Sequence, residues 1–393
     1  MVRKAVEVQV SSQVLRWARE RSGYSKQDVA SKLKVPESLV SSWEAEDQNI
    51  AFSKIKALAA LFKRPEATLL LSKPPSTDPF PAFRNKNKSG NPYAPKTLLS
   101  IRRAKRLQKS LKQLLGNLNH ETEVRLSFAT LKDDPREIAN RERASFGLDM
   151  DMQRNWQSDY DALNFWKRGL EGKNIFIFQM KMPVEDARGF SFADASPYVI
   201  VLNTSDSVTA RNFTLFHEYA HLLLKSSSVC TPSFGDKSDE KNADAAESWC
   251  NRFSAAFLMP TNDILHAYSQ YENQGIDRAT SRVSRLFGVS RQAILMRLSE
   301  LNLISESDFK TEYAKVQSQV QARLVNAAKK KVEFVIPPST KSFNERGSKY
   351  VSLVLNNLDR KMISPIEFSD FLSLKIQHLD KIRELAARGK SHV

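Results

Sequence analysis

The segment Phe213-Thr214-Leu215-Phe216-His217-Glu218-Tyr219-Ala220-His221-Leu222-Leu223-Leu224 limits the possible folds more than any other stretch of this chain. It is apolar almost throughout and holds neither Gly nor Pro, so it reads as a buried helix. Residues four apart share a helix face, which turns His217 and His221 the same way with Glu218 beside them. Two imidazoles and a carboxylate on an apolar helix are costly unless a metal or another partner satisfies them. Zinc held by two imidazoles and a carboxylate keeps a fourth position for water and lowers that water's pKa, and an adjacent glutamate can then take the proton. Glu218 is the candidate base, and the plain alternative is two surface histidines on an amphipathic helix.

A third protein ligand has to come from elsewhere. The helix expected from Asp239 onward offers Glu240, Asp244 and Glu247. Glu247 shares a face with Cys250, Asn251, Ser254, Phe257 and Leu258, a mostly small or apolar stripe that should face inward. Asp244 lies on nearly the same face, as a rival ligand or a supporting group, and all three acids also suit a solvated helix start. The group that stabilises an oxyanion is not assigned by the sequence; His266 and Tyr268 qualify only by following this helix.

Before the histidine helix the hydrophobic period changes to that of strands, at Asn174 to Met180, Gly189 to Phe192 and Tyr198 to Asn203. A small sheet therefore precedes it. A peptide could add to that sheet as an extended strand beside the Gly189-Phe190 and Val199-to-Leu202 segments.

The net charge is +16 over 393 residues, and its distribution says more than its sum. Residues 1–75 carry +5, residues 76–120 carry +9, residues 121–270 carry −6 and residues 271–393 carry +8. The histidine segment is the acidic one, so contact with a polyanion belongs on the flanks. Only Cys230 and Cys250 are present, which leaves no disulfide framework and suits a reducing cytosol. Cys250 should be buried. No apolar run long enough to span a membrane occurs, and the start lacks a secretory apolar core, so a cytoplasmic protein with no membrane partner is expected.

The first 72 residues read as five short helices, Ser12 to Arg21, Ser25 to Leu33, Pro36 to Ala45, Lys54 to Phe62 and Glu66 to Leu71. Leu15, Val29, Ala30, Leu33, Val35, Leu39, Val40, Trp43, Ile55, Leu58 and Leu61 supply a small core. The pattern resembles the helix-turn-helix domain of the Xre repressor class, with Ala30, Val35 and Trp43-Glu44 at its landmarks. That resemblance implies DNA contacts from Ser38, Ser41 and Ser42 on the second helix of the motif. Between Pro36 and Asp47 there is no Lys or Arg, while Glu37, Glu44, Glu46 and Asp47 are acidic, so dimerisation or substrate docking is the alternative use.

A linker at Lys73 to Pro81 and a second one at Asn85 to Pro95 mark a boundary near residue 75. The following helix, Thr97 to Leu115, places Leu107, Leu111 and Leu114 on one side. Around the rest stand Arg102, Arg103 and Arg106, offered here as phosphate contacts, with Lys105, Lys109 and Lys112; a solvated face is the other reading. Val289 to Leu298 resembles the later half of a second helix-turn-helix, for which a packing role is favoured. After Lys329-Lys330-Lys331 and Pro337-Pro338 comes a helical tail of undeclared role.

Several separated motifs stand in order: Arg188-Gly189-Phe190, Ile200-Val201-Leu202-Asn203, Phe213 to His221, and Glu247-Ser248-Trp249-Cys250-Asn251-Arg252-Phe253 running on to Met259-Pro260. Together they resemble the ImmA/IrrE metallopeptidases over about residues 145–305. That resemblance implies zinc on His217, His221 and Glu247, and Glu218 as catalytic base. It also implies limited cleavage of a transcriptional repressor, switching on stress-response or mobile-element genes in bacteria. The expected fold is α+β and mostly helical. It comprises a helix-turn-helix domain at 1–73, a basic linker and helix at 74–120, a zincin-like peptidase domain with a small sheet at 121–305, and a helical region at 306–393. Two other functions stay open: a DNA-binding regulator whose peptidase fold is non-catalytic, and the proteolytic half of a toxin–antitoxin or phage-defence pair acting on an antitoxin.

Overall fold

The structure, a computed structural model, describes residues 6–75, 93–119, 126–147, 153, 155–193, 195–226, 228–230, 241–329 and 336–390. Linker residues 76–81 and 85–92, Glu240, Lys330 and Lys331 lie outside them, as do the side chains of Asp244 and Cys230. The fold is α+β and mostly helical. Among the described residues no helix is long and apolar enough to cross a membrane. Two compact units emerge, residues 1–105 with 181–186, and residues 106–180 with 187–393.

In the first unit β1 (Glu7–Val10) is followed by α1 (Ser12–Glu20), α2 (Lys26–Leu33), α3 (Glu37–Trp43), β2 (Gln48–Ala51), α4 (Phe52–Phe62) and α5 (Glu66–Leu69). All five expected helices are present. The two strands, absent from the sequence reading, pair antiparallel with Val10 opposite Gln48 and Glu7 opposite Ala51. A reciprocal capping box between Ser25 and Asp28 starts α2, and a left-handed Lys34 at φ 54° ends it and turns the chain toward α3. Val14, Val29, Ile55 and Leu69 are fully buried, with Leu15, Val40, Trp43 and Leu58 around them.

One expected core residue is misplaced. Leu39 is 38% exposed, because Val40 and Trp43 are the α3 residues turned to the core and a neighbour of Val40 is rotated about 100° from it. Charges are tied down here too. Glu44 is 4% exposed and accepts from Arg19 through Nε at 2.6 Å and Nη2 at 2.9 Å. Asp47 accepts from the Ser12 backbone N–H at 2.8 Å and the Ser12 hydroxyl at 2.9 Å, satisfying an amide at the start of α1 that has no partner within the helix. Two of the acids that argued against DNA contact are therefore holding the domain together.

The basic helix is α6 (Pro95–Asn117), followed by α7 (Pro135–Ala144) and α8 (Asp159–Gly172). Next come β3 (Phe176–Met180), β4 (Gly189–Phe192), β5 (Val199–Asn203), the histidine helix α9 (Val208–Leu223), β6 (Ser228–Cys230) and α10 (Lys241–Leu258). The sheet order is β3-β5-β4-β6. β3 runs parallel to β5, and β4 runs antiparallel to both β5 and β6. Every residue of β4 and β5 is buried, which suits the unbroken apolar run Val199 to Leu202 in β5.

α9 is packed between this sheet and α10. Phe216 of α9 stacks on Phe257 of α10 with ring centroids 3.9 Å apart, and Trp166 of α8 meets Phe216 edge-on at 5.1 Å. All three rings are fully buried in one core. Aromatic faces of this size contribute roughly 1.5–3 kcal/mol each on burial and fix the rotation of α9 about its axis.

The remaining helices are α11 (Thr261–Ser269), α12 (Ile276–Phe287), α13 (Arg291–Glu300), α14 (Glu306–Lys329), α15 (Pro338–Arg346), α16 (Ser348–Asp359), α17 (Pro365–Leu372) and α18 (Leu379–Lys390). α12 and α13 form the second helix-turn-helix around Gly288 at φ 61°. The two basic residues of α13, Arg291 and Arg297, are engaged within the protein. Arg297, 1% exposed, donates to the Met259 carbonyl, Thr261 and Glu300, and Arg291 is paired with Asp277 at 2.6 Å. The C-terminal helices belong to the same unit, joined where Gln179 Nε2 of β3 donates to the Asn344 carbonyl at 2.7 Å and Ser348 Oγ donates to Glu171 at 2.9 Å.

Candidate metal centre

α9 begins at the Ser207 cap, whose hydroxyl accepts from the Ala210 N–H at 3.2 Å, and runs without a break past His221. Its full helicity puts the two imidazoles side by side, with ring centroids 4.9 Å apart and Nε2 atoms 3.2 Å apart. His217 is 1% exposed, His221 2% and Glu218 0%. From α10 the Glu247 carboxylate reaches both rings, with Oε2 3.4 Å from His217 Nε2 and Oε1 3.4 Å from His221 Nε2. Among the described side chains, Glu247 is the acid of this helix whose carboxylate reaches the histidines.

Each ring is oriented from behind. His217 Nδ1 is hydrogen-bonded to Asn251 Oδ1 at 3.0 Å. Oδ1 only accepts, so Nδ1 carries the proton and the lone pair of Nε2 faces inward. His221 Nδ1 is hydrogen-bonded to Ser226 Oγ at 3.0 Å, and the Ser226 N–H donates to the His221 carbonyl at 2.8 Å. Neither group was singled out from the sequence. Asn251 was findable, standing four residues from Glu247 on the same stripe; Ser226 lies past the end of α9 and left no periodic signal.

The three donors fit a metal ion. Tetrahedral zinc with bonds of about 2.0–2.1 Å separates its ligand atoms by about 3.3 Å. The two Nε2 atoms are 3.2 Å apart, each lies 3.4 Å from a different oxygen of the Glu247 carboxylate, and one donor atom from each residue falls within 4.8 Å of the others, close enough to share one ion. Electrostatics point the same way. Burial alone would lower the His221 imidazole, but the Cys250 thiol and the Glu247 carboxylate outweigh it and raise it to about 10. Burial alone would raise the Glu247 carboxyl, yet its hydrogen bonds to His217 and His221 hold it far below the ordinary carboxylate range. Both shifts run in the direction that holds a proton between the rings and the carboxylate, the position a metal cation would take in its place.

Gly189 brings the sheet onto this helix. A Cβ there would lie 2.6 Å from Thr214 Cγ2, 2.8 Å from the Val201 carbonyl and 3.6 Å from Glu218 Cγ. Only glycine lets β4 pass this close, and it sets the strand directly against the candidate base. His266 and Tyr268 are placed elsewhere: His266 is exposed with Nε2 3.0 Å from Gln270 Nε2, and Tyr268 is packed in the core. Cys250 is fully buried and free, as expected.

The candidate DNA contacts all fall in the described residues. Ser38 and Ser42 are exposed, and Ser41 lies 3.4 Å from Lys26 Nζ. The Ser42 carbonyl accepts from Gln48 Nε2 at 2.6 Å. Arg103 and Arg106 are exposed on α6. Arg102 instead donates to the Phe62 and Lys63 carbonyls at 2.9 Å each, closing the end of α4.

Comparison with family models bears on both ends of this description. Residues 170–299 match the peptidase M78 model, described as the IrrE N-terminal-like domain, and residues 15–69 match a model described as helix-turn-helix. No curated protein matches the chain.

Proposed function

We propose that this chain, which carries an IrrE N-terminal-like peptidase domain and an N-terminal helix-turn-helix domain, is a zinc-dependent endopeptidase. Its substrate in this reading is one specific protein, a DNA-bound transcriptional repressor, whose cleavage switches on stress-response or mobile-element genes. The observation that carries the reading is the convergence of His217, His221 and Glu247, with donor atoms within 4.8 Å of one another, beside Glu218 on the helix of the two histidines.

His217, His221 and Glu247 would hold the zinc, and Asn251 and Ser226 keep the two rings turned toward it. Bound there, zinc supplies Lewis acidity to a peptide carbonyl and to water. Glu218 takes a proton from the attacking water as the C–O bond forms, and delivers it to the amide nitrogen as the C–N bond breaks. Burial of Glu218 keeps bulk water from competing for that proton.

The proposed domain borders are 1–73, 74–120, 121–305 and 306–393. Ser38, Ser41 and Ser42 with Arg103 and Arg106 are the DNA contacts proposed for the helix-turn-helix and its basic flank, and Arg102 enters only by releasing α4. The test is cleavage of a co-expressed candidate repressor. Wild type should clip it at one place, and Glu218→Gln should keep the metal while slowing cleavage by about 10²–10⁴-fold. Undiminished cleavage by Glu218→Gln would sink the mechanism.

A further inference from the structure

We infer that β6 occupies the strand edge on which a peptide substrate adds, so that the chain carries its own competitor for the site. This rests on the peptidase reading above. β4 presses its backbone onto α9 at Glu218, through Gly189. A peptide held by main-chain pairing with its carbonyl near Glu218 therefore has to pair with β4.

β4 has two edges. One is taken by β5, with Gly189 opposite Leu202 and Phe192 opposite Val199. The other is taken by β6, with Gly189 opposite Cys230, Phe190 opposite Val229 and Ser191 opposite Ser228. The far strand β3 is no substitute. It stands two strand spacings from β4, about 10 Å, and α15 lies against it through the Gln179 to Asn344 bond. Pairing with β4 beside Glu218 thus means taking the place of Ser228–Cys230.

β6 is also weakly built. It is three residues long, with Val229 its only β-branched member, at the short limit of strand length and low in strand preference. It is delivered to β4 directly from the metal-site helix. Lys225 at φ 53° reverses the chain, and Ser226 is fastened to His221 at both its N–H and its hydroxyl. Peeling the strand away from Ser228 onward leaves both of those bonds intact. The occupant β6 imitates is an extended peptide without proline at its ladder positions.

The experiment uses the full-length zinc-loaded chain and a fluorescent peptide copying residues 225–230. Successive strand residues point their N–H groups to opposite sides, so the double variant Ser228→Pro/Val229→Pro removes a ladder bond whichever residue supplies it. An internal strand competes at millimolar effective concentration, so the peptide should bind the variant at least about tenfold more tightly than wild type. Equal binding to both, with zinc retained, overturns the inference. If the double variant loses zinc, Val229→Gly and hydrogen exchange on wild type decide. With saturating peptide the amides of 228–230 should lose protection while those of 189–192 keep it, and unchanged protection at 228–230 overturns the inference. Repressor cleavage is scored separately: no cleavage by either protein defeats the peptidase reading, whereas variant-selective peptide binding stands without it.

Discussion

Arg19 and Glu44 in the first unit face each other through two hydrogen bonds of 2.6 and 2.9 Å. His217, His221 and Glu247 in the second turn three electron-pair donors toward one point. Both clusters are largely buried, with Arg19 and Glu247 their more exposed members, and burying charge is costly in either case. The first is complete as a cation matched to an anion by a bidentate fork, so it explains itself as structure. The second has an excess of donors and, with neutral imidazoles, a net negative charge, so it calls for a cation from outside the sequence. Burial of charged groups alone therefore says little about function; the balance of charge and of donors inside the cluster separates a structural pair from a binding site.

The sharpest way to break this contrast is to unbalance the complete pair. Arg19→Met leaves Glu44 buried without its cation and should destabilise the protein by about 3–5 kcal/mol in denaturant unfolding, with zinc content unchanged. Arg19→Met combined with Glu44→Leu should recover most of that loss. A loss of zinc in the single variant would contradict the separation of the two clusters.

Next in size is the support behind the metal site. Asn251→Ala frees the His217 ring to turn, and zinc affinity measured by competition with a chelator should fall about 10–100-fold with little change in melting temperature. Unchanged affinity would mean that helix geometry alone orients the ring.

The smallest effect concerns Asp47. The Ser12 backbone N–H first, and then its hydroxyl, hold the Asp47 carboxyl below its ordinary pKa. A carboxyl with a depressed folded-state pKa contributes stability that is fully present above the unfolded value of about 3.9 and is lost as pH falls through the folded value. Asp47→Asn should therefore lower stability at neutral pH slightly and flatten the loss between neutral pH and acid, as read by thermal melts across that range.

The same physical differences decide what was legible in the sequence. α9 and its two histidines were readable because a 3.6-residue period and an i, i+4 spacing are local. β5 was readable because a strand buried on both faces becomes an apolar run, and β4 because Phe190 and Phe192 alternate with small residues. β1 and β2 escaped because Glu7, Gln9, Gln48 and Asn49 give no apolar run and the partner strand lies some forty residues away. β6 escaped because three residues carry no period at all. Glu247 was ranked first by its inward stripe, but only folding shows its carboxylate between the two imidazoles. Glu44 and Asp47 counted only as acids weighing against DNA contact, because their partners Arg19 and Ser12 are distant in sequence. Leu39 was assigned to the core because adjacent apolar residues do not declare which of them faces inward.

The claim on which the rest depends is that the buried donor cluster holds zinc, and metal analysis of the purified chain beside Glu247→Ala tests it most directly. The account predicts one zinc per wild-type chain and a large loss of bound zinc in Glu247→Ala, with the helical content of both proteins the same. Wild-type protein that takes up no zinc when it is supplied, or a Glu247→Ala variant that binds zinc as tightly as wild type, would contradict it.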